Sequence, residues 1–289
     1  MVMKIILLQH INKTSILVVM TILLAACSST RFLYTFIDEF IQDEVTYFLD
    51  LNEKEKLSLS QQVTEMVNWH RTSMLPRYAA YLINAADKIE KKEYESADIS
   101  KLLENARFLI EQTISGLTPY ASKFLMNYLT NEDIEFMQKR MLMRQQERIT
   151  ELSRSEDILY TERLKRLTTN FERFFGELND SQKTLLESHT SQTLGESRVR
   201  LHNRTLRQKV FIRFLNTQPT ETELIAFIEK LLIRGHLITN PSYKDFSAAS
   251  LKRLKILLVN MLKNSSKEQL KTIIDNLRGY AKDFEAVSI

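Results

Sequence analysis

The sequence predicts an all-α protein, an elongated multi-helix assembly of antiparallel helical hairpins. Three observations predict it. Only 5 glycines and 4 prolines punctuate 289 residues, too few for the turns of a long, strongly connected sheet. Leu, Lys, Glu, Gln and Arg are abundant, and all are good helix formers. Apolar residues recur at steps of three and four along most of the chain, the spacing that lines one face of a helix.

The N-terminal stretch has a different logic. Lys4 and Lys13 accompany an uncharged apolar run over residues 16–26. That run is shorter than the ~20 residues a spanning helix needs, and it fits a signal-peptide core of about 7–15 residues ending in small side chains. Leu24-Ala25-Ala26-Cys27 closes it and holds the only cysteine. This segment resembles the lipobox of bacterial lipoproteins. The resemblance implies that the Cys27 sulfur receives a diacylglycerol, that residues 1–26 leave as a lipoprotein signal peptide, and that the new amino group is acylated. An ordinary signal peptide with an incidental cysteine is the alternative. In lipoproteins of this kind, an aspartate directly after the cysteine favours inner-membrane retention. Here Ser28 follows it, so the expected address is the outer membrane, with the body facing the periplasm. Two or three acyl chains on one residue anchor stably.

Removing residues 1–26 from 289 leaves 263, expected to form a single periplasmic helical domain over 27–289. The leader takes two of the 40 basic residues and none of the 36 acidic ones. The remaining balance of +2 is too weak to imply a nucleic-acid partner. Past Cys27 there is no cysteine for a disulfide, so packing must supply stability.

In chain order, residues 32–49 read as the first helix, acidic through Asp38, Glu39, Asp43 and Glu44. Asn52 and Glu55 have the spacing of a capping box. They open a second helix with Leu59, Val63, Met66, Val67, His70 and Met74 on one stripe. Pro76 should kink or interrupt it, because proline lacks the backbone donor and clashes with the preceding turn. Further helices are expected over 100–115, stopped near Gly116, and over 119–129, 132–152 and 156–175, the last ending at Gly176. Those at 181–194, 196–215, 221–234, 247–262 and 267–284 complete the set. An apolar end, a short polar cap and a new helix recur near Tyr47, Tyr128, Phe174 and Phe214. The later intervals suit a helical-hairpin period, although any helical bundle repeats such a unit.

The most distinctive internal stretch is Trp69-His70-Arg71 followed by Leu75-Pro76-Arg77-Tyr78. Together with the lipobox, Tyr34, Asp38 and the turn at 178–182, it resembles an uncharacterised family of proteobacterial lipoproteins, a domain of unknown function. That family's pattern is W-H-R, then L-P-x-Y, then an L-T-x-x-Q turn. Asn179 stands here where threonine is usual. The resemblance spans nearly all of 27–289 and implies an α-helical lipoprotein with no known catalytic residue.

No acid lies between Glu65 and Asp87, so Arg71 and Arg77 lack i±3 or i±4 carboxylates. They must pair with another segment, bind an anion or stay solvated. If the first two helices form an antiparallel hairpin, residue 71 falls near residue 31, beside the anchored end. Trp, Tyr and Arg suit a lipid–water boundary. The alternative is structural, with Trp69 in the core, Pro76 redirecting the chain, and His70 and Tyr78 as packing. A pairing of His70 with Asp38 or Glu65 as acid and base has little support.

Residues 197–220 are again free of acids and hold Arg198, Arg200, Arg204, Arg207, Lys209 and Arg213. Arg200, Arg204 and Arg207 fall at i, i+4 and i+7, on one face, with Leu206, Val210 and Phe214 on another. This basic amphipathic pattern is either a solvated or paired face, or a site for anionic groups. The five histidines, at 10, 70, 189, 202 and 236, have no metal-ligand spacing, and no phosphate loop is present. The sequence calls for no metal and no cofactor. It reads as a non-catalytic envelope lipoprotein that binds or scaffolds. Its partners would be the membrane through Cys27, and an envelope protein or anionic lipid. The alternative is a periplasmic chaperone-like binder, since small helical periplasmic chaperones carry L-T-x-x-Q turns like the one at Leu178 to Gln182.

Overall fold

The computed structural model describes residues 34–288. The leader and the Leu24, Ala25, Ala26 and Cys27 lipobox lie outside the described residues. Within them every regular element is helical and no strand occurs.

Helix α1 (Ile37–Phe48) and helix α2 (Glu53–Trp69) form the expected antiparallel hairpin. Leu49 and Leu51 bury the turn. Asn52 then caps α2. Its amide oxygen accepts from the Glu55 N–H at 3.1 Å, and the Glu55 carboxylate accepts from the Asn52 N–H at 2.8 Å. Two orphan donors of the helix start are thereby satisfied reciprocally. The register sets Asp38 against Thr64 and Tyr34 against His70.

Pro76 does not break the chain. Residues His70–Met74 form a single π turn, in which the Leu75 N–H reaches the His70 carbonyl. Pro76 then falls in the first turn of α3 (Leu75–Glu90), where a missing donor costs little. The apolar stripes described above do not include α3. A second correction concerns α4 (Ser96–Leu125). It runs through both Gly116 and Pro119 without stopping. Packing holds it together: Thr118, Ser122 and Phe124 are buried around the proline, and tertiary contact overrides local propensity.

The remaining helices are α5 (Asn131–Leu152), α6 (Glu156–Phe175), α7 (Asp180–Thr193), α8 (Glu196–Leu215), α9 (Glu221–Ile233), α10 (Tyr243–Lys263) and α11 (Lys267–Val287). These lie close to the predicted spans. Gly176, at φ 74°, ends α6 in a backbone conformation that favours glycine. The recurring sequence unit proves to be a helix start. Capping boxes at Asn52, Thr130, Asn179, Thr220 and Ser266 open α2, α5, α7, α9 and α11. The packing is not that of a nearest-neighbour repeat array. Helix α3 lies antiparallel to α11, where Asp87 and Glu90 hold Arg278 and Tyr78 meets Phe284. Helix α5 lies antiparallel to α8, with Leu152 near Arg198 and Leu129 near Gln218.

Among the described residues there are two apolar cores. One gathers Leu59, Val63, Phe124, Met137, Leu215 and Leu224 from α2, α4, α5, α8 and α9. The other gathers Ile89, Leu102, Phe175, Leu186, Met261 and Ile273 from α3, α4, α6, α7, α10 and α11. Helix α4, 30 residues long and so about 45 Å at 1.5 Å per residue, is the beam they share. No described helix is long and apolar enough to cross a membrane.

Candidate functional site

The Trp-His-Arg segment sits on the π turn, facing the middle of α4. Trp69 is partly buried, with its indole against Gly116 and its ring centroid 6.4 Å from that of Tyr120. His70 sits between two phenols. Tyr34 lies 2.5 Å from its Nδ1, and Tyr78 lies 3.4 Å from its Nε2. Tyr78 also shares a short hydrogen bond with the Thr113 hydroxyl, which donates to the Leu109 carbonyl at 2.9 Å. The chain has one consistent direction. Thr113 spends its proton on the carbonyl, so it accepts from Tyr78. Tyr78 then accepts from His70 Nε2–H, and Nδ1 accepts from Tyr34. The neutral ring thus has its tautomer set by its neighbours. Burial lowers the His70 pKa. Burial first, then Tyr78, push the Tyr34 hydroxyl up to about 12, with Arg71 opposing them.

Asp38 and Glu65 do not supply the partner of this histidine. Asp38 accepts from Thr64 at 3.3 Å instead. Arg77 is exposed and donates to Gln112 of α4 at 3.0 Å, so it does pair with another segment. Arg71 is partly buried and its Nε has no hydrogen-bond partner. Pro76 is exposed and serves the π turn.

The second predicted feature is the arginine run of α8. One side of α8 packs inward through the buried Glu196, Asn203, Ile212 and Leu215, while Arg198, Arg200, Arg204, Lys209 and Arg213 are exposed. Arg200, Arg204 and Arg207 do share a face, and they line one pocket of about 490 Å³. Its apolar floor comes from Leu125 of α4, Phe211 of α8, and Ile228 and Leu231 of α9. The wall carries three arginines and no carboxylate. Asn203 lies at its base, 4 % exposed, with an amide oxygen that accepts nothing. Arg207 leans on Gly235, where a Cβ would come within 2.7 Å of its Nε, and stands 5.9 Å from the Tyr243 ring centre. A side chain at residue 235 would displace the Arg207 guanidinium, the mobile end of its side chain.

The arginines differ in commitment. Arg200 donates to Glu196 at 2.8 Å and to Ser250 at 2.6 Å. Arg207 is partly buried, and its Nε has no partner. Arg204 is exposed and has no ion pair among the described residues. The acidic α1 is engaged elsewhere. Glu44 pairs with Arg144 of α5, which also lies 4.0 Å from the Tyr47 ring centre.

Residues 47–244 match the family described as "Family of unknown function (DUF6279)". That is well over half of the chain. The chain belongs to this family. No curated protein and no solved structure matches it. The DUF6279 match contains the Trp-His-Arg segment and all of α8, while Tyr34, Asp38 and the lipobox precede it.

Two further polar groups in the DUF6279 chain prove structural. Gln182, in the turn that resembles L-T-x-x-Q, is fully buried and exchanges amide hydrogen bonds with Gln269. The turn thus docks α7 on α11 through the buried Leu178 and Gln182, while Asn179, Asp180 and Ser181 are exposed. Glu196 is 7 % exposed and accepts from Arg200, Arg253 and Ser250. Burial pushes its carboxyl up, but those hydrogen bonds outweigh burial and hold its pKa below the ordinary value. The i, i+4 step from Glu196 to Arg200 was visible in the sequence. Gly235 and Tyr243 carried no such signal, because only the packing of α9 and α10 brings them to α8, and nothing local marks Asn203 of α8 as buried. Among the described residues, no cluster of three His, Cys, Asp or Glu side chains is placed to hold a metal ion.

Proposed function

We propose that this protein is a lipid-anchored lipoprotein of the bacterial outer membrane, tethered at Cys27 and facing the periplasm, that acts by binding an anionic partner. The address rests on the Leu24-Ala25-Ala26-Cys27 segment. One observation carries the binding role: three arginines line one apolar-floored pocket that has no carboxylate in its lining. Ligand sites have this character, largely apolar with a few placed polar groups. Guanidinium groups suit carboxylate and phosphate.

The test has two arms. Cells are fed a clickable fatty acid, and the protein is followed by fractionation. The native chain should carry label and sediment with outer membrane, whereas Cys27→Ala should lose label and leave it. Photocrosslinkers at exposed positions around the pocket should then capture an anionic partner in intact cells. An unlabelled native protein refutes the tether. Capture that survives Arg204→Gln together with Arg207→Gln refutes the pocket.

A further inference from the structure

The arginine pocket shares part of its lining with a neighbouring cavity. Ala121, Leu125 and Phe211 also line a second cavity of about 340 Å³ on their other side. That cavity lies among α1, α2, α4 and α5, walled by residues such as Val45, Val63, Met66, Phe124 and Met141. Glu44 is its only charged lining residue, and Arg144 already holds that carboxylate. A cationic pocket and an apolar cavity therefore share a wall of two aliphatic side chains and one phenyl ring.

We propose that the two together bind a single-chain amphiphile with an anionic head. The head sits among Arg204, Arg207 and Asn203, and the acyl chain passes Ala121 and Phe211 into the apolar cavity. This rests on the binding role of the same pocket. Three features support it. Charge complementarity selects the head, because the wall of this pocket carries no carboxylate and Arg204 makes no ion pair among the described residues, although Glu147 and Glu151 line the neighbouring pocket on its other side. A charge-assisted hydrogen bond from guanidinium is roughly twice as strong as a neutral one. Each cavity lies within the ~300–1,000 Å³ usual for ligand sites. Filling the apolar one with methylenes removes them from water, worth about fourfold in affinity for each. The shared chemistry is that of a fatty acid or an anionic lysophospholipid.

The single tryptophan reports on the tail. Tyr120 lines the apolar cavity, and its ring centroid is 6.4 Å from that of Trp69. The full chain carrying Cys27→Ala is titrated, below micelle formation, with palmitate and palmitoyl-lysophosphatidylglycerol brominated near the chain end or near the head. Chain-end bromine should quench Trp69 saturably, and head-proximal bromine should quench it less. Arg204→Gln should weaken binding at least tenfold. That residue is exposed and unpaired, so the variant keeps its fold. Ala121→Leu, also at an exposed position, should narrow the passage and abolish chain-end quenching while head binding persists. Preference for one probe identifies the source as fatty acid or phospholipid, and either preference upholds the site. Equal binding of neutral-headed lysophosphatidylcholine, or quenching that does not saturate, overturns it. Absence of acylation at Cys27 would remove the tether and leave this result standing. Absence of amphiphile binding to a correctly anchored protein would remove this site alone.

Discussion

The Trp69 indole occupies the space that a side chain at residue 116 would need. A Cβ on Gly116 would lie 1.9 Å from both Cζ2 and Cη2 of that ring. Glycine inside a helix normally costs about 0.5–1 kcal/mol relative to alanine. Here it lets the π turn seat its tryptophan on the long α4 beam. Gly116→Ala should therefore destabilise by about 1–3 kcal/mol, as overpacking does, although helix propensity alone predicts a gain. In a Trp69→Ala background the same change should become neutral or stabilising. Urea melts of the four proteins decide this, and a Gly116→Ala effect of the same sign and size in both backgrounds refutes the contact.

A second coupling joins Gln182 and Gln269. Each amide oxygen accepts the backbone N–H of its own helix cap at 3.1 Å. Each Nε2 faces the other's oxygen, at 2.8 and 3.3 Å. Removing one buried partner leaves the other unsatisfied, so either single change to alanine should cost about 1–3 kcal/mol. The double variant should cost less than the sum, with coupling above about 0.5 kcal/mol. Strict additivity in denaturant melts would rule the paired caps out.

These two contacts show what could be read from the chain beforehand. Asn52 with Glu55, and Asn179 with Gln182, are local spacings, and the caps they imply are present. The first hairpin was also legible, since a turn at Asp50 to Asn52 places the residues after Trp69 beside those before α1. What escaped depends on distant partners. Gly116 and Pro119 look like punctuation until Trp69 and the buried Thr118 and Ser122 are set against them. Helix α3 opens with a proline that only a π turn makes harmless. The face shared by Arg200, Arg204 and Arg207 was predicted from periodicity. Its enclosure by Leu231 and Tyr243 was not, because α9 and α10 carry no local mark of packing there.

The His70 ring links stability to pH. Burial lowers its pKa below the ordinary value near 6.5. As pH falls past that value the unfolded chain takes up the proton first, so stability present above it is lost. His189 acts in the same direction, through burial first and then Arg163. Between pH 8 and pH 5 the urea midpoint should therefore fall, and His70→Gln should remove part of the fall. Identical slopes for variant and native protein would show that the ring titrates as in the unfolded chain.

Tyr34 should act at the other end of the scale. Its hydroxyl is raised to about 12, against about 10 for free tyrosine. The resulting stability is complete below about pH 10 and is lost as pH rises between these values. Tyr34→Phe should lose this dependence and the hydrogen bond to His70 together. Phenolate absorbance during a pH titration should lose one late-titrating tyrosine in Tyr34→Phe, while Tyr81 and Tyr128, whose hydroxyls burial also raises, remain. An unchanged titration curve would refute the assignment.

Glu196 sets stability against binding. Its buried carboxylate holds Arg200 and Arg253, at 2.8 and 2.5 Å. Removing one partner of a buried pair costs about 3–5 kcal/mol, but both arginines reach solvent, so Glu196→Gln should cost nearer 2 kcal/mol. Because the carboxyl pKa is held low, its contribution is present above about pH 4.3. It is lost as pH falls below that value, and the variant should lack this part of the acid transition. The same substitution releases Arg200, whose side chain already lines the α8 pocket. Affinity for an anionic amphiphile should then rise while the melting midpoint falls. Calorimetric titration beside thermal melts separates the two effects. If stability falls and affinity does not move, Arg200 belongs to the fold alone, and the anionic head rests on Arg204 and Arg207.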